Sequence, residues 1–163
     1  MFDIYTYGEM LARSLKAINH TYQKSKFYRA TAQTELQELE TNISNASGTI
    51  LIAINERIVP FDFPNSDSLI KKPVYSLVFA QQTKATDTST IFKAQEECEV
   101  LAMQAISKML QDAHEYKNGC EYILPESFFI EGFGPIADLF YGVIMSFSLA
   151  RGVNYQLKPH YWK

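Results

Sequence analysis

IFKAQEECEVLAMQAISKMLQDAHEY, residues 91–116, is the stretch that decides the fold. It contains neither Gly nor Pro, so nothing in it interrupts a helix. Ala94, Cys98, Leu101, Ala105 and Met109 recur every three or four residues, and Ala102, Ile106 and Ala113 widen that band. One face is therefore apolar, while Lys93, Glu96, Glu99, Gln104, Lys108 and Gln111 are left for water. Asp87, Thr88, Ser89 and Thr90 offer oxygens to the first orphan amides. Asn118-Gly119 is the expected stop, because both residues tolerate a left-handed backbone. Strand-like segments stand on both sides of this helix, which reads as the brace of a sheet.

Upstream, Met1 to Tyr5 is a small strand or an ordered arm. Helical periodicity then places Tyr7, Leu11, Leu15, Ile18 and Tyr22 on one face, with Thr6 and Glu9 at capping-box spacing. Lys24 to Ala32 is ambiguous, and Phe27 to Arg29 fits a short extended piece. Thr34 and Gln37 repeat the capping-box spacing, and Leu36, Leu39, Ile43 and Ala46 predict a second helix over Thr34–Ser44. TILIAINERIV, residues 49–59, predicts a strand covered on both sides, closed by Pro60. FDFPNSDSLIKKP, residues 61–73, reads as a loop because of its prolines and turn formers. Pro73 to Gln82 is the next strand, with Tyr75, Leu77 and Phe79 on one face.

Downstream, Glu121 to Phe133 predicts a strand that begins at an edge or bulge, since Pro125 cannot donate to a ladder. Gly132, Gly134 and Pro135 predict a turn. Asp138 to Ala150 alternates, with Leu139, Tyr141, Val143, Met145, Phe147 and Leu149 expected on the core face. The expected architecture is α+β and single-domain over residues 1–163. A mainly antiparallel sheet of about four strands would carry the long helix and the N-terminal helices on one face, in the order α-α-β-β-α-β-β.

A chain of 163 residues is long enough to bury roughly 70% of its unfolded surface. Ten Tyr and eleven Phe can fill a core and leave rings over for association surfaces. The formal charge of −3, with Lys71-Lys72 the longest basic cluster, argues against a direct grip on nucleic acid. Two cysteines make no disulfide framework: Cys98 sits on the apolar stripe and Cys120 lies beyond the helix end. A reducing compartment is the natural setting. No leader-like segment opens the sequence, and no apolar run approaches the ~20 residues that span a bilayer. The expectation is a soluble protein made in the cytoplasm, with no membrane partner.

Sites for chemistry are scarce. His20, His114 and His160 lie in different segments, and none has a ligand-like partner four residues on. Cys98 stands among Glu96, Glu97 and Glu99, which raise a thiol pKa, so it reads as a core residue. Those glutamates, with Glu126 and Glu131, read as solvated surface. GFGP at 132–135 lacks the spacing and lysine of a phosphate loop. The expectation is a protein that is no enzyme and takes no cofactor or metal. Phe61, Phe63, Leu69 and Ile70, between Pro60 and Pro73, are the best interface candidates; they either meet a partner or cover the domain's own core. Tyr161 and Trp162 carry the same two readings.

Three stretches bear a resemblance. FYRATAQTELQELETNIS followed by TILIAI, the helix KAQEECEVLAMQAISKMLQD, and DLFYGVIMSFSLARGVNYQL together cover about half the chain. They are similar to the tail-terminator and tail-completion proteins of long-tailed phages, the head–tail joining neck proteins, of the type found in phages and prophages of Bacteroides-like bacteria. The resemblance implies a small α+β virion subunit at the tail–head junction, assembled in the host bacterial cytoplasm. It would form a homo-oligomeric ring, a hexamer, that caps the tail tube protein and meets the head-completion or connector protein. Another neck ring protein, or a soluble adaptor working through the apolar loop, is the alternative.

Overall fold

The computed structural model describes residues 1–36, 39–43, 46–84 and 87–163. Its elements are α1 (Ile4–Ser14), β1 (Phe27–Ala30), α2 (Glu40–Ile43), β2 (Thr49–Ile54), β3 (Phe61–Asn65), β4 (Ser68–Lys71), β5 (Val74–Gln82), α3 (Thr88–His114), β6 (Phe129–Ile136), β7 (Phe140–Ser148) and β8 (Arg151–Val153). Short 3-10 turns occupy Gln33–Leu36, Cys120–Tyr122, Pro125–Ser127 and Pro159–Tyr161. The class is α+β, as expected, but the sheets differ from the expected four strands. One has five strands in the order β1-β2-β5-β7-β6, and a smaller one has three in the order β3-β4-β8. All pairings are antiparallel except β1 with β2.

The long helix forms as the periodicity demands. Asp87 caps it by accepting from the Ser89 amide at 3.0 Å. Ala94, Cys98, Ala102, Ala105 and Met109 are buried, and Asn118 and Gly119 take the left-handed backbone beyond its end. Small residues dominate the buried stripe, which lets α3 lie close on β5 and β7. At α1 the cap is Asp3, accepting from the Tyr5 and Thr6 amides, so the helix starts earlier than Thr6. Glu9 is spent elsewhere, on Arg13 and Arg29. Tyr7 and Leu11 are buried as predicted, Ile18 is buried beyond the helix, and Tyr22 is exposed. Gly8 admits α1 to the sheet: a Cβ there would sit 2.9 Å from the Phe27 ring. The predicted helix over Thr34–Ser44 is present as the turn Gln33–Leu36 and the helix Glu40–Ile43. Gln37, Glu38 and Ser44 lie outside the described residues, and with them the Thr34–Gln37 cap.

Helices do not pack on one face alone. Leu51, Ala53, Leu77, Phe79, Val143, Met145 and Phe147 face α1 and α3. Ile50, Ile52, Ile54, Val78, Ala80, Phe140 and Ile144 face a second cluster that includes Leu36 and Ile43. β7 is therefore buried on both faces, and its alternation does not mark a single core face. The Gly132–Pro135 turn is likewise displaced. Those residues belong to β6, with a register irregularity between Phe133 and Ile136. Ala137, Asp138 and Leu139 make the reversal between the paired Ile136 and Phe140, the first two at positive φ (49° and 62°). Ahead of Phe129 the predicted strand is replaced by the two 3-10 turns, and Pro125 begins the second.

The largest correction concerns residues 60–73. They form the hairpin β3–β4, turned by Asn65, whose side chain accepts from the Asp67 amide and the Ser68 hydroxyl, each at 3.0 Å. The hairpin extends the main sheet. Gln82 lies opposite Phe140, Val74 opposite Ser148 and Leu69 opposite Val153, with one constant offset. β4–β5 and β8–β7 are thus one ribbon, nicked at Lys72-Pro73 and Leu149-Ala150, where the Leu149 amide still reaches the Pro73 carbonyl at 3.3 Å. β3 prolongs β2 in the same way after a break at Arg57 (φ 56°): the Val74 amide donates to Ile58 and the Lys72 amide to Pro60. The predicted strand over 49–59 stops at Ile54 because of this break. The three central strands therefore run on past the core as a wing.

Candidate assembly surface

No residue of the wing is buried: β3 is exposed throughout, and β4 and β8 are half-buried at most. Residues directly opposite one another share a face. Phe61, Lys71 and Arg151 therefore stand on one side, with Leu69 and Val153. This side continues the α3-bearing face of the main sheet, because alternation carries Tyr75 and Phe147 on to Lys71 and Arg151. Arg151 lines a hollow with Met1, Glu121 and Tyr122 there. Phe63 meets the Tyr155 ring edge-on at 5.9 Å, and the Tyr155 hydroxyl donates to the Ser66 carbonyl at 3.0 Å. The opposite side carries Asp62, Ile70 and Gly152, with Lys72 bound to Asp62 at 2.9 Å.

Four of the interface candidates named from sequence lie on one hairpin, with Ile70 on the side away from Phe61 and Leu69. Phe61 (60% exposed) and Phe63 (53%) lie on β3, with Leu69 and Ile70 on β4. Tyr161 and Trp162 are exposed at the C-terminal 3-10 turn, Tyr161 against His160 at 4.1 Å. Among the described residues no ring contact ties either to the hairpin. Arg151, Val153 and Tyr155 stand beside them on the wing and were not among those candidates, although the alternation of β7 continues through them. The wing edge carries exposed rings on strand backbone, each able to gain roughly 2 kcal/mol when covered.

A buried polar cluster lies where α1 meets the end of α3, at the wing end of the ribbon. Asp112, fully buried, accepts from Lys108 Nζ at 2.6 Å, the Tyr7 hydroxyl at 2.7 Å and Asn118 Nδ2 at 3.1 Å. Burial raises its pKa, but these three donors outweigh it and hold the carboxyl below the usual range. Burial, then the bond to Asp112, pushes the Tyr7 phenol well up. Burial also drives the Cys120 thiol to about 11 and the Cys98 thiol to about 12. Burial thus disfavours the thiolate at both sites. The cluster clamps α1 to the end of α3. Among the described residues, no group of three His, Cys, Asp or Glu side chains is placed to hold a metal ion. No described helix is long and apolar enough to cross a membrane.

No family model matches the chain, and comparison with the curated proteins and with the solved structures also gives no match.

Proposed function

We propose that the protein is a virion structural subunit at the tail–head junction, a tail terminator of the long-tailed-phage type. It works as a ring of its own copies, a hexamer, seated on the last ring of tail tube protein and offering its other side to the head connector. It is a non-enzymatic building block, and it assembles in the host cytoplasm before joining the virion. The wing carries this reading: the central strands project beyond the core with aromatic rings uncovered and an open edge at β3. A strand projection at one end of the molecule suits a heterologous contact, which closes into a ring when its rotation divides a full turn. The resemblance of the three sequence stretches supplies the biological setting.

The test is a tube-growth assay. Purified protein is added to polymerising tail tube protein and tube lengths are measured by electron microscopy. A terminator stops growth and is found at one tube end. Tubes that lengthen unchanged, with no protein at their ends, would refute the terminator and leave another neck ring or an adaptor.

A further inference from the structure

We infer that the wing of one copy docks on the outer face of α3 and the neighbouring β6 of the next copy, head to tail. This inference rests on the proposed ring but specifies its interface. The acceptor is read from α3. Phe92, Met103 and Leu110 recur at spacings of eleven and seven, so they fall on one line of the helix, and all are exposed. Val100 is exposed beside them. Among the described residues nothing covers this line. Between α3 and β6 runs a groove of about 200 Å³ lined by Gln95, Glu99, Ile130, Glu131 and Gly132. β6 is the outer strand of the main sheet, so its far edge is open.

Charge identifies the occupant. Glu97 is paired with Lys93, but Glu96, Glu99 and Glu131 have no ion pair among the described residues. The acceptor is therefore apolar with a surplus of negative charge. The wing face is apolar with a surplus of positive charge: Phe61, Leu69 and Val153 with Lys71 and Arg151, neither cation paired among the described residues. Glu121 borders the Arg151 hollow and reduces that surplus without cancelling it. Size agrees as well. Phe92 to Met103 spans about 16 Å of helix, and the five residues of β3 span about 17 Å.

A chain cannot satisfy itself. Val143, at the groove, and Arg151, on the wing, are separated along one ribbon by about 25 Å. α3 begins near the Thr83–Leu139 end and finishes near Leu149, so its acidic half lies away from the wing. The acidic half of the acceptor, from Phe92 to Met103, and the wing thus sit at opposite ends, and each copy offers one of each. The occupant of the α3 face is a second copy of this chain.

Sedimentation of the intact protein at low salt tests this. Wild type is expected to self-associate. Lys71→Glu with Arg151→Glu, and separately Glu96→Lys with Glu99→Lys, should each weaken association about tenfold or more, with circular dichroism unchanged. An equimolar mixture of the two variants pairs acidic wing with basic helix and basic wing with acidic helix, and should recover the assembly. Wild type that associates regardless of both reversals places the interface elsewhere and overturns the inference, while the terminator reading stands. Losses that the mixture does not repair also overturn it. Wild type that stays monomeric at every concentration overturns it too, and the tube assay then judges the terminator reading by itself.

Discussion

Asp112 is a carboxylate on the apolar stripe of a helix, and its three partners all donate to it. An asparagine in its place would turn an NH₂ group toward one of those donors. Asp112→Asn is therefore expected to cost about 1–3 kcal/mol of folding stability. The folded carboxyl titrates below its unfolded value, so its contribution is fully present above the unfolded pKa and is lost as pH falls through the folded one. The gap between wild type and Asp112→Asn should accordingly be widest at neutral pH and shrink below about pH 4. Urea titrations at a series of pH values measure it, and a gap that persists unchanged into acid would disprove the clamp. Sequence reading missed this residue for a physical reason. Its i+4 spacing from Lys108 looks like a surface ion pair, and only Tyr7, more than a hundred residues away, pulls it inside.

At the scale of elements, strand spacing is as constrained as side-chain packing. Gly142 lies opposite Ala80, and a Cβ there would fall 1.8 Å from the Phe79 carbonyl oxygen. That atom is ladder backbone and cannot step aside as a side chain can. Gly142→Ala should destabilise by on the order of 3 kcal/mol, near the upper end for overpacking. A thermal melt that moves by less than a degree would show that the sheet yields here. Some elements were legible because local rules agree. α3 has periodicity, cap and stop together, and β2 and β5 have apolar runs bounded by turn formers. Others depended on partners. Phe61 to Lys71 reads as a loop because Pro60, Pro64 and Pro73 argue against a central strand. The hairpin survives because Pro64 lies on an edge strand and Pro73 sits at the nick of the ribbon. β1 gains its identity from pairing parallel to β2, which no local pattern announces. The expected one-sided helix layer failed for a similar reason. Both faces of β7 are apolar, and only the second cluster around Leu36 and Ile43 explains the other face.

For the whole molecule, the open question of sequence was whether Phe61 and Phe63 cover the chain's own core or wait for a partner. Their exposure and the absence of any buried residue in β3 favour the second. The two readings diverge in a double substitution, Phe61→Ser with Phe63→Ser. If the rings are surface, folding stability should fall by less than about 1 kcal/mol, a small loss that reflects the Phe63–Tyr155 contact. Self-association and tube capping should fall much further, because each ring forfeits the roughly 2 kcal/mol it gains on burial between copies. The same purified sample gives both values, one from urea unfolding monitored by tryptophan fluorescence and one from sedimentation. Trp162 stands outside the core, so far-ultraviolet circular dichroism should accompany the fluorescence. A variant that unfolds by several kcal/mol more easily would assign the rings to the core. A variant that folds and assembles like wild type would take the wing out of the interface, and with it the structural support for a ring.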